Sequence, residues 1–140
     1  MDKISIDYKH DMSFEANIEN FSIALDAKSE NGGSASAPTP KPLMLVALAG
    51  CTGMDVASLA KKMRVELEKF EIEATASKSD TMPVIYTAAA LKYNFIAAPE
   101  SAEKIRKIVG MSQERYCGVA AMFRMICPLS YTIWLNGEQI

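Results

Sequence analysis

The sequence predicts an α+β fold whose strands form mainly antiparallel sheets. Short segments with an apolar residue at every second position occur at both ends of the chain and in its middle. One long apolar segment that becomes amphipathic predicts a helix from Pro40 to Met63. The resulting order is βββ, long α, ββ, αα, β. Because strands and helices are segregated in this order, it favours α+β over an alternating α/β protein.

The first 27 residues predict an antiparallel meander of three strands. Asp11 and Asn20 mark the turns between the strands. The alternating apolar positions are Ile4, Ile6 and Tyr8, then Phe14, Ala16 and Ile18, then Phe21, Ile23 and Leu25. Residues 28–41 are rich in Gly, Ser and Pro, which predicts a mobile loop that leads into the long helix.

The long helix is expected to begin with Thr39 as the N-cap residue and Pro40 at the first helical position. Its first half is apolar on nearly all sides, which predicts deep burial. One small sheet cannot cover such a helix on all sides. We therefore expect an intertwined homodimer, in which a second copy supplies the missing cover.

The second half of the chain predicts two strands, two helices and a final strand. Apolar residues alternate over residues 70–76 and again over residues 85–95. A helix starts at Pro99 and breaks at Cys117 and Gly118. A short helix from Val119 to Ile126 follows, and Leu129 opens the last strand.

Composition restricts the classes of function. The 140 residues, 49% of them hydrophobic, predict a single domain over residues 1–140, and the net charge of −2 argues against nucleic acid or an anionic membrane as partner. No apolar run opens the chain, so a secretory signal is not expected. The longest apolar run, Leu43 to Ala49, is far shorter than the ~20 residues that span a bilayer. We expect a cytoplasmic protein, in which cysteines need not be paired.

Two of the three cysteines are candidates for thiol chemistry. Cys51 lies in the long helix next to Gly50, and small neighbours leave room for a substrate or a second sulfur. Cys117 lies just before a predicted helix, whose N-terminal dipole would favour a thiolate. The alternative is that both are small buried residues without chemistry, since free cysteines usually are. Cys127, next to Pro128, is predicted to be structural.

Two further features bear on the chemistry of the cysteines, the carboxylate of Asp55 and the spacing of the potential metal ligands. Asp55 follows Cys51 by one helical turn, and a bare carboxylate there would raise the pKa of the thiol. We therefore expect Asp55 to pair with a cation or to accept a backbone hydrogen bond. The cysteines and His10, the single histidine, have neither CxxC nor HxxxH spacing. No metal site and no cofactor are predicted.

Two long segments carry a family resemblance. They are PTPKPLMLVALAGCTGMDVASLAKKMR around Cys51 and AEKIRKIVGMSQERYCGVAAMFR around Cys117. Together with the strand order they resemble the OsmC/Ohr family of osmotically inducible and organic hydroperoxide resistance proteins, and the uncharacterised OsmC-like subgroup more than Ohr itself. The resemblance implies antiparallel sheets wrapped around a long buried central helix, in an intertwined homodimer with two sites at the subunit interface.

The resemblance also implies an activity, the thiol-dependent reduction of organic hydroperoxides in stress defence. In this peroxiredoxin-like cycle Cys51 is the peroxidatic cysteine, Cys117 resolves its sulfenic acid as a disulfide, and an external dithiol such as a dihydrolipoyl protein resets the enzyme. Characterised peroxidases of the family also use an arginine and a glutamate. Here no arginine precedes Arg64, and Lys41 is a candidate substitute that would stabilise the thiolate. The alternative is a non-catalytic or small-ligand-binding relative that has lost both residues.

Overall fold

The computed structural model describes residues 1–140 and confirms the α+β class. It contains a three-stranded sheet, a four-stranded sheet and three α-helices. The chain divides into two compact units, Met1–Met44 and Leu45–Ile140, which are described one at a time. The single domain over residues 1–140 stays a prediction.

The first unit contains the predicted meander, with β1 at Ser5–His10, β2 at Ser13–Ile18 and β3 at Phe21–Leu25. All neighbours are antiparallel, and the register places the alternating apolar residues of the three strands on one face of the sheet. This apolar face is open within the chain, since Phe21 is 73% exposed and Tyr8 is 63% exposed. The sheet therefore presents an uncovered hydrophobic surface.

The segment predicted as a mobile loop has a defined hydrogen-bonded structure. The carboxylate of Asp26 accepts bonds from the backbone N–H of Ala27 and from the N–H and hydroxyl groups of both Ser34 and Ser36. These donors hold the pKa of Asp26 well below its usual range. A Cβ on Gly33 would lie 2.1 Å from the carbonyl oxygen of Ala27, so glycine is required there.

The long helix, α1, spans Pro40–Lys62 and so begins where the sequence predicted. The prediction of burial on all sides does not hold within one chain, because neighbouring elements cover only one side of the helix. Val46 and Met54 are 63% and 76% exposed. The buried side consists of Leu48, Thr52, Val56, Leu59 and Ala60.

Averaged over an 18-residue window, α1 is also apolar enough to cross a membrane, with a mean hydropathy of 1.7. The uninterrupted run from Leu43 to Ala49 did not indicate this. Only 22% of this 18-residue stretch is buried within the chain. A helix in the core of a water-soluble protein can, however, be equally long and apolar. The hydropathy of α1 therefore does not by itself indicate a membrane span.

The second unit contains a mixed sheet in the order β4, β5, β6, β7, formed by Leu67–Lys78, Tyr86–Ala97, Leu129–Leu135 and Glu138–Gln139. The pair β5 and β6 is parallel and the other pairs are antiparallel. Parallel neighbours need a long crossover connection. Here the crossover contains α2 at Ala102–Met111, a π-helical turn at Ser112–Tyr116 and α3 at Gly118–Ile126.

The predicted alternation in β5 places its apolar residues in the core. Ala89, Leu91, Tyr93, Phe95 and Ala97 are all buried, together with the apolar face of α2. In α1, Gly53 faces the sheet closely, because a Cβ there would lie 3.3 Å from Cδ1 of Ile72. A Cβ on Gly50 would meet nothing within 4 Å. One of the two glycines beside Cys51 thus serves close packing against a strand.

Candidate functional site

The structure brings Cys51, Asp55 and Cys117 together in what we call the thiol–carboxylate cluster. The two Sγ atoms and a carboxylate oxygen of Asp55 all lie within 4.8 Å of one another. Cys51 and Asp55 are one turn apart on α1, while Cys117 comes from the break between the π-helical turn and α3. Positions distant in sequence thus converge on one point.

Cys117 is the buried member of the cluster, with 4% of its surface exposed. Burial, together with the hydrogen bond to Cys51 and the charge of Asp55, raises the pKa of its thiol to about 11. The N–H of Ala120, at the start of α3, donates to Sγ at 3.3 Å but does not offset these effects. The expectation that the helix dipole would favour a thiolate at Cys117 is therefore wrong, and at neutral pH this residue is a protonated thiol that can donate a hydrogen bond.

Cys51 is more exposed to solvent than Cys117. Its side chain is only partly buried, and neither residue takes part in a disulfide. The cluster thus combines a partly exposed cysteine with a buried cysteine that is kept protonated beside it. Thiol chemistry requires access, and the two sulfurs differ in this property.

Asp55 has a different partner from the one expected. It forms no ion pair, and it accepts a hydrogen bond at Oδ2 from the hydroxyl of Ser112, at 2.9 Å. Neither a cation nor a backbone N–H compensates its charge. The carboxylate therefore stands beside two thiols without an ion-pair partner.

Behind Asp55 lies a buried network of polar side chains. The hydroxyl of Thr52 lies 2.8 Å from Oγ of Ser112 and 2.7 Å from the hydroxyl of Tyr93. Nε2 of Gln113 donates to Tyr93 at 2.6 Å and to Thr52 at 3.2 Å. No buried side-chain nitrogen or oxygen lacks a partner. Complete pairing is what allows these groups to remain in the core.

The donors and acceptors give this network a single direction. Nη2 of Arg124 donates to Oε1 of Gln113 at 2.8 Å, which fixes the amide so that its nitrogen donates onward. At the other end Ser112 donates to the carboxylate, so its own oxygen accepts from Thr52, and Thr52 accepts from Tyr93. Every donor thus points toward Asp55, starting from a guanidinium and ending at a carboxylate.

Burial of Tyr93 keeps this direction stable. Desolvation raises the pKa of its phenol to about 12, against the lowering effect of the hydrogen bonds with Thr52 and Gln113. The phenol is therefore protonated at neutral pH and available as the donor that the network requires. The carboxylate of Asp55 at the end of the network accepts its hydrogen bond from a neutral hydroxyl, that of Ser112.

A cavity of about 360 Å³ opens beside Asp55. Its lining is largely apolar and includes Leu59, Met63, Met111 and Tyr116, with Lys62 as the one cation. Asp55 belongs both to this cavity and to the thiol–carboxylate cluster. A small molecule with an apolar body can therefore lie next to the cluster.

The remaining residues that the sequence singled out lie elsewhere. Lys41 is in the first turn of α1, within the first compact unit, and its role stays a prediction. Cys127 is a buried residue at the end of α3 and is not part of the cluster, and His10 is on β1. The absence of close spacing argued against a metal site, yet the fold groups three potential ligand side chains.

Sequence reasoning missed most of the network. Ser112 follows Ile105 by seven positions and Ile108 by four, so a polar residue sits on the core-facing side of the helical segment. Tyr93 likewise occupies an inward position in the alternation of β5. Polar groups at core-facing positions need buried partners, and this signal was readable in the sequence.

The fold and the cluster define a class, an α+β protein that holds two neighbouring thiols beside a carboxylate. The chain belongs to the OsmC-like protein family, whose profile matches residues 32–132. It is 26% identical over 96 residues to protein YhfA of Escherichia coli strain K12, an alignment that covers 69% of this chain and 72% of that protein.

Solved structures share the fold. An OsmC-like protein from Mycoplasma pneumoniae matches with a TM-score of 0.83 at 19% identity, over 96% of each chain. An organic hydroperoxide resistance protein OsmC from Legionella pneumophila matches with a TM-score of 0.71 at 16% identity, again over 96% of each chain. At such identities the likeness concerns the fold alone.

Proposed function

We propose that this chain is a thiol peroxidase that reduces organic hydroperoxides, with Cys51 as the peroxidatic and Cys117 as the resolving cysteine. The observation that carries the proposal is the pair itself, a partly exposed cysteine and a buried protonated cysteine whose sulfur atoms lie within 4.8 Å of each other. The family supports it, since a structural neighbour of similar fold is named an organic hydroperoxide resistance protein.

The proposed chemistry balances with the groups present. The thiolate of Cys51 attacks one peroxide oxygen, the O–O bond breaks, and the leaving alkoxide takes a proton to give an alcohol and a sulfenic acid at Cys51. Cys117, a protonated thiol whose Sγ lies within 4.8 Å of Sγ of Cys51, can supply this proton. The resulting thiolate of Cys117 attacks the sulfenic sulfur and forms a disulfide, and the hydroxide that leaves takes a proton from solvent to become water. An external dithiol, oxidised in turn, returns both cysteines to thiols.

The apolar cavity beside Asp55 fits the organic part of such a substrate. Leu59, Met63 and Met111 offer contacts to an alkyl or aryl group. Hydrogen peroxide has no such group, so the proposal includes a preference for organic over inorganic peroxide. Lys62, in the same lining, offers a charge to a polar end of the substrate.

The proposal includes a homodimer and a cytoplasmic location. Val46 and Met54 on α1 are exposed, and so is the apolar face of the first sheet. Each of the two units thus exposes apolar side chains, and exposed apolar surface of this kind is typical of an interface. A reducing compartment suits a cycle that needs free thiols at its start, and the dithiol reductant stays part of the proposal.

One experiment tests the activity. The reduced protein is mixed with cumene hydroperoxide, quenched with a thiol alkylator and digested for mass spectrometry. We expect rapid loss of two free thiols, a Cys51–Cys117 disulfide and an alkylated Cys127. Cys51→Ser should abolish the reaction, Cys117→Ser should leave oxidised Cys51, and Cys127→Ser is the matched control that should react as the wild type does.

Two further variants test which lysine stabilises the thiolate of Cys51. Loss of a thiolate contact of ~1.4 kcal/mol lowers the rate about tenfold. Lys41→Ala and Lys62→Ala are compared, and the one that supplies the stabilising charge should show that loss. If no thiol of the wild type reacts faster than free cysteine, the peroxidase proposal is wrong.

A ligand-binding relative without turnover is the second candidate, and one observation favours it. Asp55 stands beside both thiols and forms no ion pair, so no paired cation belongs to the cluster. The cluster therefore contains a carboxylate but no paired cation of the kind that stabilises a thiolate. Binding of a thiol-free organic molecule to the cavity, without peroxide turnover, would support this candidate.

A further inference from the structure

We propose that the reduced thiol–carboxylate cluster is a zinc site, with Sγ of Cys51, Sγ of Cys117 and a carboxylate oxygen of Asp55 as ligands. The fourth position of the tetrahedron is left to water or another small molecule. The inference goes beyond the peroxidase and does not depend on it, because metal binding requires only that both cysteines are reduced.

The distances suit a zinc ion after a small adjustment. Zinc holds sulfur at ~2.3 Å and carboxylate oxygen at ~2.0 Å, so neighbouring ligands of a tetrahedral site are about 3.5–3.8 Å apart. The three ligand atoms lie within 4.8 Å of one another without any ion. Movement of about 1 Å, within the range of a side-chain torsion, therefore completes the geometry.

The positions of the three ligands on the backbone also favour binding of a single metal ion. Cys51 and Asp55 are four residues apart on α1, so both project from the same face of one rigid helix. Cys117 approaches from a separate element, the turn before α3. Two ligands from one helix and a third from another segment define a point in space more firmly than three ligands from a loop.

Charge and ligand type favour zinc over the lighter cations. Asp55 has no cation partner in the chain, and a bound divalent ion would supply one. Two thiolates select zinc or a related soft ion over magnesium or calcium, which prefer oxygen ligands. The two thiols release their protons to solvent when the metal binds.

Ser112 acts as the outer support of this site. Its hydroxyl donates to Oδ2 of Asp55, and the buried network behind it holds the hydroxyl in place. Outer partners of this kind orient metal ligands, and their loss typically lowers affinity by about 10- to 100-fold. In this proposal the buried polar network has a function besides satisfying its own hydrogen bonds, because it orients the Asp55 carboxylate toward the metal.

The test uses the reduced full-length protein under anaerobic conditions, with Co²⁺ as a spectroscopic probe and Zn²⁺ as competitor. We expect one Co²⁺ per chain, the thiolate-to-cobalt charge-transfer band of two sulfurs, and the visible bands of tetrahedral cobalt. Zn²⁺ should displace the cobalt. Cys127→Ser is the matched control, and its spectrum and affinity should equal those of the wild type.

Variants of the ligands make the outcome decisive. Cys51→Ser and Cys117→Ser should each lose one thiolate from the charge-transfer band and at least about 100-fold in affinity. Asp55→Asn should keep both thiolates but bind more weakly, and Ser112→Ala should weaken binding by about 10- to 100-fold. Circular dichroism of each variant distinguishes weak metal binding by a folded protein from loss of the signal through unfolding.

The proposal is wrong if the wild type binds no more tightly than folded Cys51→Ser, or if Cys127→Ser loses the signal. Oxidation of the pair to a disulfide with diamide, which involves no peroxide, should abolish binding and reduction should restore it. Since neither readout measures peroxide turnover, metal binding and the peroxidase proposal succeed or fail independently.

Discussion

The hydroxyl of Thr52 is the point at which the buried network can be broken most cleanly. Valine has nearly the same shape as threonine but no hydroxyl. Thr52→Val removes the acceptor of the Tyr93 proton at 2.7 Å and the donor to Ser112 at 2.8 Å, in a residue with no exposed surface. Tyr93 then has no acceptor for its proton among the contacts of the folded chain.

The expected loss follows from these contacts. An orphaned buried hydroxyl costs about 1–3 kcal/mol, and each further hydrogen bond lost adds about 0.5–1.5 kcal/mol. We expect Thr52→Val to lower the free energy of unfolding by about 2–4 kcal/mol. Thr52→Ser is the matched control, because it keeps the hydroxyl and loses one buried methyl group, at about 1 kcal/mol.

Urea unfolding followed by the fluorescence of Trp134, the single tryptophan, measures both variants. All samples need the same protein concentration, because an oligomer's stability depends on it. With an unfolding entropy of ~2.1 cal/mol/K per residue over this chain, 3 kcal/mol corresponds to a fall in Tm of roughly 10 °C. If Thr52→Val is as stable as Thr52→Ser, the directed network does not stabilise the core.

Two other predictions concern the first unit and α2. The pKa of Asp26 is depressed in the folded state, so its hydrogen bonds stabilise the protein above the ordinary value of about 4, and this stabilisation is lost as the pH falls below it. Asp26→Asn should therefore flatten stability against pH between about 5 and 2, and an unchanged slope in urea titrations would contradict this. Gly33→Ala forces a Cβ against the carbonyl of Ala27 and should destabilise by about 1–3 kcal/mol. Gly110→Ala, inside α2 where a Cβ meets nothing within 4 Å, should instead stabilise by up to about 1 kcal/mol, and equal melting temperatures for the pair would refute the steric argument.

Much of the fold was predictable because it depends on local periodicity. Alternation located the strands of the meander and the inward side of β5, and Pro40 marked the start of α1. The short strand β7 was missed, since its two residues carry no period. Burial of α1 was overpredicted, because an apolar surface shows that cover is needed but not that the same chain provides it.

The candidate site was predictable only in its two sulfur residues. Glycine-flanked Cys51 and Cys117 at a helix break were readable as candidates, but the charge state of Cys117 was not. Its pKa depends on burial and on Cys51 and Asp55, which approach through the packing of α1 against the later helices. The helix dipole alone predicted a lowered pKa for Cys117, and the pKa is raised instead. The hydrogen bond from the N–H of Ala120 lowers this pKa by less than desolvation raises it.

The sequence by itself determined the order of the strands and helices apart from β7, the family and the pair of cysteines, because backbone periodicity and motif residues are local properties. Only the tertiary structure decided that Asp55 joins the two sulfurs and that Thr52, Tyr93, Ser112 and Gln113 form a network leading to it. Distances between residues far apart in sequence depend on how complete elements pack together. The chemistry of the cluster therefore depends on contacts that no single segment encodes.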